Sequence, residues 1–414
     1  MTIKQYLVGG AVRDELLGLD VNDRDWVVVG SSEKTMTDLG HQMVGKDFPV
    51  FLVDGEEVAL ARTERKTGDG YGGFSVDTNG VTLEEDLGRR DLTINSIAQD
   101  EEGNLIDPYG GRNDINNKLL RHTSDAFSED PVRVLRTARF FARYQSQGFT
   151  IADETIKLMQ DMTYAGELNH LTAERVWQEI VKTLNDPQPW LFFDTLQNIG
   201  ALKVILPELN ALFGVPQPAA HHPEIDTGIH TLMVLEQACK LTGDPVIRFA
   251  ALMHDLGKGI IDPKILPHHY GHEAGGLPLL NELCKRLRVP SRHKKLAARM
   301  MEYHTHCHKL MELRPGKIYK LLKALGSGGQ RDVVDAFATA CEADARGRTG
   351  FENRDYPNAD YLRKMSAHLK LINNDDIVER YSGKKIGEII DQRMIKEVGF
   401  IKHQLLATTP YPKP

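Results

Sequence analysis

The chain has 414 residues, of which 41% are hydrophobic and 26% charged; this is the make-up of a globular protein and excludes a disordered or fibrous one. Its net charge of −7 excludes coating of nucleic acid by bulk charge, although a focal basic site depends on local potential and stays open. No apolar run approaches the ~18 residues of a membrane span, and four widely spaced cysteines (Cys239, Cys284, Cys307, Cys341) suit a reducing cytoplasm.

The chain opens on a strand pattern, Tyr6-Leu7-Val8, which leaves no room for a signal peptide. Gly9-Gly10 and a helical stretch from Ala11 to Gly18 follow, then a β-branched run from Asp25 to Val29. Pro49 to Val53 and Val58 to Ala61 flank Asp54-Gly55 as a hairpin would. From Glu129 onward helical periodicity takes over, with Val132, Leu135, Ala138 and Ala142 on one face. The predicted class is α+β, with roughly four segments. These are a small mixed α/β head (1–125), an all-helical neck and body (126–215), a helical unit (216–330) and a helical C-terminal region (331–414). Eleven of the 16 histidines fall between His221 and His308, a skew that metal binding would explain.

Two features of the head point to phosphoryl chemistry. Two glycines between a strand and a helix let backbone N–H groups approach a phosphate. Asp23-Arg24-Asp25 enters the next strand, where residues i and i+2 face one way. Paired carboxylates repel unless a divalent cation lies between them, the arrangement Mg²⁺ chemistry uses. Taken alone, Gly-Gly reads as a tight turn and Asp-x-Asp as a solvated acidic turn; together they favour a site.

The segments Leu7 to Asp14, Asp23-Arg24-Asp25, Arg89 to Asn95, Asp107-Pro108 and Glu129 to Phe140 stand in the order and spacing of one family. They resemble the class II tRNA nucleotidyltransferases of the DNA polymerase beta superfamily. That resemblance implies Asp23 and Asp25 as catalytic Mg²⁺ ligands, with Gly10, Arg13 and Arg90 along the nucleotide. Asp130 and Arg133 would read the incoming base in place of a template, and Arg136 and Arg139 would hold phosphate or sugar. Read without the family, Asp130-Pro131 is an ordinary helix start and the arginines are a solvated cationic face. No third carboxylate is assigned; Glu64 and Asp77 are the candidates within the head.

His254-Asp255 ends an apolar helical run, with His230 upstream and His272, His304 and Asp344 downstream. This spacing resembles the HD superfamily of metal-dependent phosphohydrolases. It implies His230, His254, Asp255 and Asp344 as ligands, with His272 and His304 as an additional metal site or substrate contact. The other histidines of the cluster, His222, His293 and His308 among them, read as surface or loop residues. Imidazole with carboxylate does not select one ion, so Ni²⁺, Mn²⁺, Co²⁺ and Zn²⁺ all stay open; the resemblance favours Ni²⁺.

The combined reading is a cytoplasmic enzyme that adds CCA to the tRNA 3′ end from CTP and ATP, with an HD domain acting as phosphatase, 2′-nucleotidase and 2′,3′-cyclic phosphodiesterase. Its expected partners are tRNA and the two nucleotides, without DNA or membrane, and its expected state is a monomer or weak homo-oligomer. A poly(A) polymerase shares the head motifs but would carry a basic extension. A non-catalytic RNA- or nucleotide-binding module conflicts with intact Asp23, Asp25, His254 and Asp255.

Overall fold

The computed structural model describes residues 3–408 except 22, 45–49, 67–73, 221, 330 and 331. The chain forms two compact units, Met1–Ile205 and Leu206–Pro414. In the first, strands β1 (Lys4–Val8), β2 (Asp25–Val29), β3 (Gln42–Met43), β4 (Val50–Val53), β5 (Glu56–Leu60), β8 (Ala98–Gln99) and β9 (Leu105–Ile106) form one mixed sheet. Its order is β3-β4-β5-β2-β1-β8-β9, and β6 (Thr63–Lys66) and β7 (Phe74–Asp77) make a separate hairpin. The sequence-predicted hairpin at Asp54-Gly55 is present: β4 and β5 pair antiparallel, and the turn residues have φ of 52° and 89°. Pro49 lies outside the described residues.

Alternation along β2 sends neighbouring valines to opposite faces of the sheet. Val27 packs with Val8, Leu87 and Ala98, whereas Val28 packs with Met36, Phe51 and Leu60. Both faces are therefore covered, and burying a side chain such as Phe51 contributes about 1.5–3 kcal/mol. The helix α1 (Gly10–Leu16) leaves the sheet at the Gly9 turn. Farther along, α2 (Val132–Tyr144) packs on α3 (Ala173–Asn185) and α4 (Trp190–Asn198).

The described elements of the second unit are helices, apart from an isolated antiparallel bridge between Pro216 and Asp226. Its core packs α5 (Thr227–Leu241), α6 (Pro245–Met253), α7 (His272–Arg286), α8 (Ser291–His308) and α9 (Val334–Arg346) against one another. Val234, Ala238, Ala251 and Ala343 meet where α5, α6 and α9 touch. Three alanines among these four let the backbones approach, which draws in the polar residues one or two turns away. Gly257 serves the same end: a Cβ there would overlap the carbonyl oxygen of His272, so only glycine lets the turn after α6 abut the start of α7.

Asp91 ties the head to α2. It is 6% exposed, and its carboxylate accepts from Leu92 N (2.9 Å), Asn95 Nδ2 (2.8 Å) and Arg136 Nε (2.7 Å). Asn95 Oδ1 in turn accepts from Arg13 Nη1 at 2.5 Å, and Tyr144 OH donates to Asp14 at 3.1 Å. Burial pushes the Asp91 pKa up, but the Arg136 charge and the three hydrogen bonds outweigh it and hold the carboxyl far below the usual range. A depressed folded pKa gives stability that is present above the unfolded value, near ~4, and is lost as pH falls toward the folded one. Asp91→Asn is expected to cost about 3 kcal/mol at neutral pH, the scale for breaking a buried pair. Chemical denaturation of the first unit's transition checks this, and the gap between variant and wild type should close as the pH is taken below about 4.

Candidate nucleotide site and metal centre

The register of the sheet builds the first site. Asp25 pairs with Val8 on one side of β1 and Ala98 pairs with Val8 on the other, so the Gly9 turn is flanked by both. Gly9 has φ 71° and ψ −124°, a region open to glycine. A Cβ there would also lie 2.7 Å from Arg90 Nη1, so glycine permits the guanidinium to rest against the turn. Arg90 Nη2 is held 3.3 Å from Asp86 Oδ2, and Arg89 Nη2 lies 2.8 Å from the other oxygen. Burial raises the pKa of Asp86, but Arg89 and Arg90 bring it below the ordinary carboxylate value.

Asp25, Arg90, Arg62 and Arg89 line a cavity of about 290 Å³ beside this turn. β2 begins at Asp25, so Asp23 lies in the irregular segment before it, and strand alternation does not by itself orient its side chain. Both carboxylates are exposed. Arg13 is buried below the turn, 3.5 Å from where a Gly10 Cβ would be and 5.1 Å from the centre of the Phe140 ring.

The α2 residues already have partners. Asp130 Oδ1 accepts from Val132 N at 3.1 Å, one residue ahead of the cap position, which Pro131 rather than Asp130 occupies, and its Oδ2 meets Arg175 Nη2 at 2.6 Å. Arg133 donates to the carbonyl of Ala126, Arg136 pairs with Asp91, and Arg139 pairs with Glu179 at 2.7 Å. Arg133 and Arg139 are buried, so the solvated cationic face is replaced by a network packed against the head.

The second unit brings together the four expected ligands, His230, His254, Asp255 and Asp344, and the two additional candidates, His272 and His304. His230 Nε2 lies 3.3 Å from Asp344 Oδ1 and 3.9 Å from Asp255 Oδ2, while His254 Nε2 lies 3.0 Å from Asp255 Oδ2. On the other oxygen, Asp255 Oδ1 is 3.4 Å from His272 Nε2 and 3.6 Å from His304 Nε2. Backbone carbonyls set the imidazoles. Nδ1 of His230, His254, His272 and His304 donates to Gly347, Ala251, His269 and Met300, which turns each Nε2 lone pair inward.

These donors suit a divalent transition ion. His230 Nε2, His254 Nε2 and Asp255 Oδ1 are buried without a hydrogen-bond partner among the described residues. His272 Nε2 and His304 Nε2 face each other at 3.4 Å, two acceptors that a cation would reconcile. Burial drives His304 down to about 3, keeping it neutral. Burial opposes the charge on Asp255 and Asp344, yet His254 with Lys258 holds Asp255, and His254 with His308 holds Asp344, well below the usual range. Burial likewise opposes a charge on His254, but the two carboxylates raise its pKa, so a cation bound there displaces a proton from Nε2.

Comparison with known proteins finds matches across both units. Residues 5–121 match the family described as Poly A polymerase head domain, 148–213 the "Probable RNA and SrmB- binding site of polymerase A", and 227–327 the HD domain. The Multifunctional CCA protein of Thioalkalivibrio sulfidiphilus is 54% identical over 404 residues, 97% of this chain and 99% of that protein. The chain belongs to the multifunctional CCA protein family. The protein of the same description from Haemophilus influenzae is 55% identical, over 88% of this chain and 89% of its own. A solved CCA-adding enzyme with CTP shares the fold at a TM-score of 0.64 and 21% identity, covering 99% of this chain and 92% of its own. Membership places the chain among the tRNA nucleotidyltransferases with an HD domain. Among the described residues no helix is long and apolar enough to cross a membrane.

Four residues of this multifunctional CCA family member, His308, Lys258, Glu224 and His222, escape a reading by motif. His308 is not a loop residue: its Nε2 lies 2.7 Å from Asp344 Oδ2, and Tyr356 meets its Nδ1 at 2.9 Å. Its spacing of four from His304 on α8 was the available signal. Lys258 Nζ sits 2.7 Å from Asp255, three residues away. Glu224 reaches Nδ1 of both His222 (3.0 Å) and His230 (3.1 Å), so His222 too belongs to the centre's surroundings. His293 is a core residue, 1% exposed. His254→Ala is expected to abolish tight Ni²⁺ or Co²⁺ binding in this unit, and Glu224→Gln to weaken it by about 10-fold, as loss of an outer carboxylate does. Calorimetric titration checks both, and affinity should fall as acid protonates the imidazoles.

Proposed function

We propose that the chain rebuilds the 3′-terminal CCA of tRNA from CTP and ATP without a nucleic-acid template. We further infer that its HD domain acts as phosphatase, 2′-nucleotidase and 2′,3′-cyclic phosphodiesterase on RNA ends. The observation that carries the reading is the pairing in one chain of the Asp25–Gly9–Arg90 turn with the buried aspartate–histidine cluster. The full-length likeness to the multifunctional CCA proteins supports it.

In the head, Asp23 and Asp25 hold Mg²⁺, which supplies electrostatic stabilisation of the triphosphate and of the attacking 3′ oxygen. Gly10 offers backbone N–H at the start of α1, and Arg13 and Arg90 supply cations to the triphosphate side. Asp130 and Arg133 read the base edge by exchanging their contacts with Arg175 and the Ala126 carbonyl for hydrogen bonds to the base. Arg136 and Arg139, held by Asp91 and Glu179, fix that helix and hold phosphate or sugar. In the HD domain, His230, His254, Asp255 and Asp344 hold Ni²⁺ or another divalent transition ion, with His272 and His304 as a second set. When bound, that ion would supply Lewis acidity at neutral pH. The carbonyl-fixed tautomers keep the Nε2 donors aimed.

The working segments are the head at 1–125, a neck and body at 126–215 that takes base and tRNA, the HD domain at 216–330, and 331–414 completing the HD site through Asp344. The chain acts in the cytoplasm, as a monomer or weak homo-oligomer. All four cysteines are free thiols, which agrees with a reducing compartment.

On a tRNA lacking CCA, Asp23→Ala should reduce CMP and AMP incorporation by at least on the order of 10²-fold, the scale of losing one preorganised electrostatic partner. It should spare Ni²⁺-dependent hydrolysis of 2′,3′-cyclic AMP, whereas His254→Ala should do the reverse. Loss of both activities from either change in a folded protein would sink the two-site assignment.

A further inference from the structure

The aspartate–histidine cluster is the floor of a cleft of about 630 Å³. That volume exceeds what a phosphate group needs and lies in the range of whole small-molecule ligands. The segment between the turn after Asp255 and the start of α7 forms part of its wall and contains His268, His269 and Tyr270. Tyr270 is 76% exposed, and its ring stacks on that of His268 with centroids 5.4 Å apart and planes 15° from parallel. A large ring so open to solvent is not there for the core.

The stack is also anchored to the chemistry. His269 Nε2 meets the Pro216 carbonyl at 3.0 Å, and the His269 carbonyl accepts from Nδ1 of His272 at 2.7 Å. The same three residues thus carry the rings and orient a ligand of the floor. Cations stand on the cleft as well. Arg348 lines it, with Nη2 3.9 Å from Asp344 Oδ1 and a buried Nε that has no hydrogen-bond partner among the described residues. Lys309 lines it and is exposed.

We propose that His268 and Tyr270 are a nucleobase platform, and that this cleft takes its phosphate ester as part of a nucleotide. The base stacks on the Tyr270 ring, the phosphorus lies over the aspartate–histidine floor, and Arg348 and Lys309 face the phosphate oxygens. Stacking is tolerant of base identity because every base has a π-face. The platform therefore selects a nucleotide end over a simple phosphate ester without demanding one base. This deepens the hydrolase reading and rests on it.

The test compares 2′,3′-cyclic AMP with methyl riboside 2,3-cyclic phosphate, which offers the same phosphorus and no base. In the full-length wild type with Ni²⁺, the baseless ester should have a KM roughly 10-fold higher or more, on the scale of one aromatic–base stack. Tyr270→Ala should raise the KM for cyclic AMP by about the same factor with kcat changed less, and leave the baseless ester unaffected. Tyr270→Phe should behave as wild type. An equal rise for both substrates, or none for cyclic AMP, overturns the platform. Hydrolysis of neither substrate by the wild type overturns the hydrolase reading instead. Equilibrium binding of adenosine 2′-monophosphate, with saturating CTP occupying the head, then decides the platform: Tyr270→Ala must weaken it by about 10-fold.

Discussion

Both units are organised by one constraint: a carboxylate taken out of water has to be compensated by charges and hydrogen bonds that converge on it. In the first unit Asp91 and Asp86 are buried, and the arginines that compensate them are Arg136, Arg89 and Arg90. Those arginines are the ones that place α2 and the Gly9 turn. In the second unit Asp255 and Asp344 are buried among imidazoles and Lys258, which draws the five helices α5 to α9 to one point. A buried carboxylate acts as an organiser because it is costly unless every partner is in position.

The two solutions differ in what they leave over. Asp91 accepts from a backbone N–H, an amide and a guanidinium, so its oxygens are used within the protein. Its role is to hold Arg13, Asn95 and Arg136 in a line from α1 to α2. Asp255 and Asp344 meet imidazole nitrogens whose protons are already committed to backbone carbonyls. Lone pairs then face carboxylate oxygens and each other, an arrangement that calls for a cation. Satisfied networks support structure and unsatisfied ones invite a ligand, and the described residues hold both kinds around aspartate.

Small residues make the convergence sterically feasible. Gly9 lets a guanidinium lie against the turn after β1, and Gly257 lets the His254-Asp255 turn meet the His272 carbonyl. Alanines at the α5, α6 and α9 contacts bring His230, His254 and Asp344 to within one ion's reach, although 114 residues separate the first from the last. The same close packing buries these ligands almost completely, which lowers His304 to about 3 and keeps its nitrogen free of a proton.

Local pattern and chemistry in the sequence already determined a good deal. Alternation and turn residues located β1, β2 and the Asp54-Gly55 hairpin, and helical periodicity located α2, since these depend on neighbours a few residues away. Motif order pointed to His230, His254, Asp255 and Asp344 as candidate ligands and to His272 and His304 as further candidates, and the fold gathers these six. Tertiary structure alone decided what long-range partners do to a residue. Arg136 and Arg139 read as a cationic face until Asp91 and Glu179, 45 and 40 residues away, claimed them. His308 became a partner of Asp344 and Tyr356, and Glu224 a support for His230, through contacts that no local pattern encodes. Periodicity reports which face of an element is buried; the partner that meets a given side chain depends on how distant segments pack, and that is fixed only when the whole unit folds.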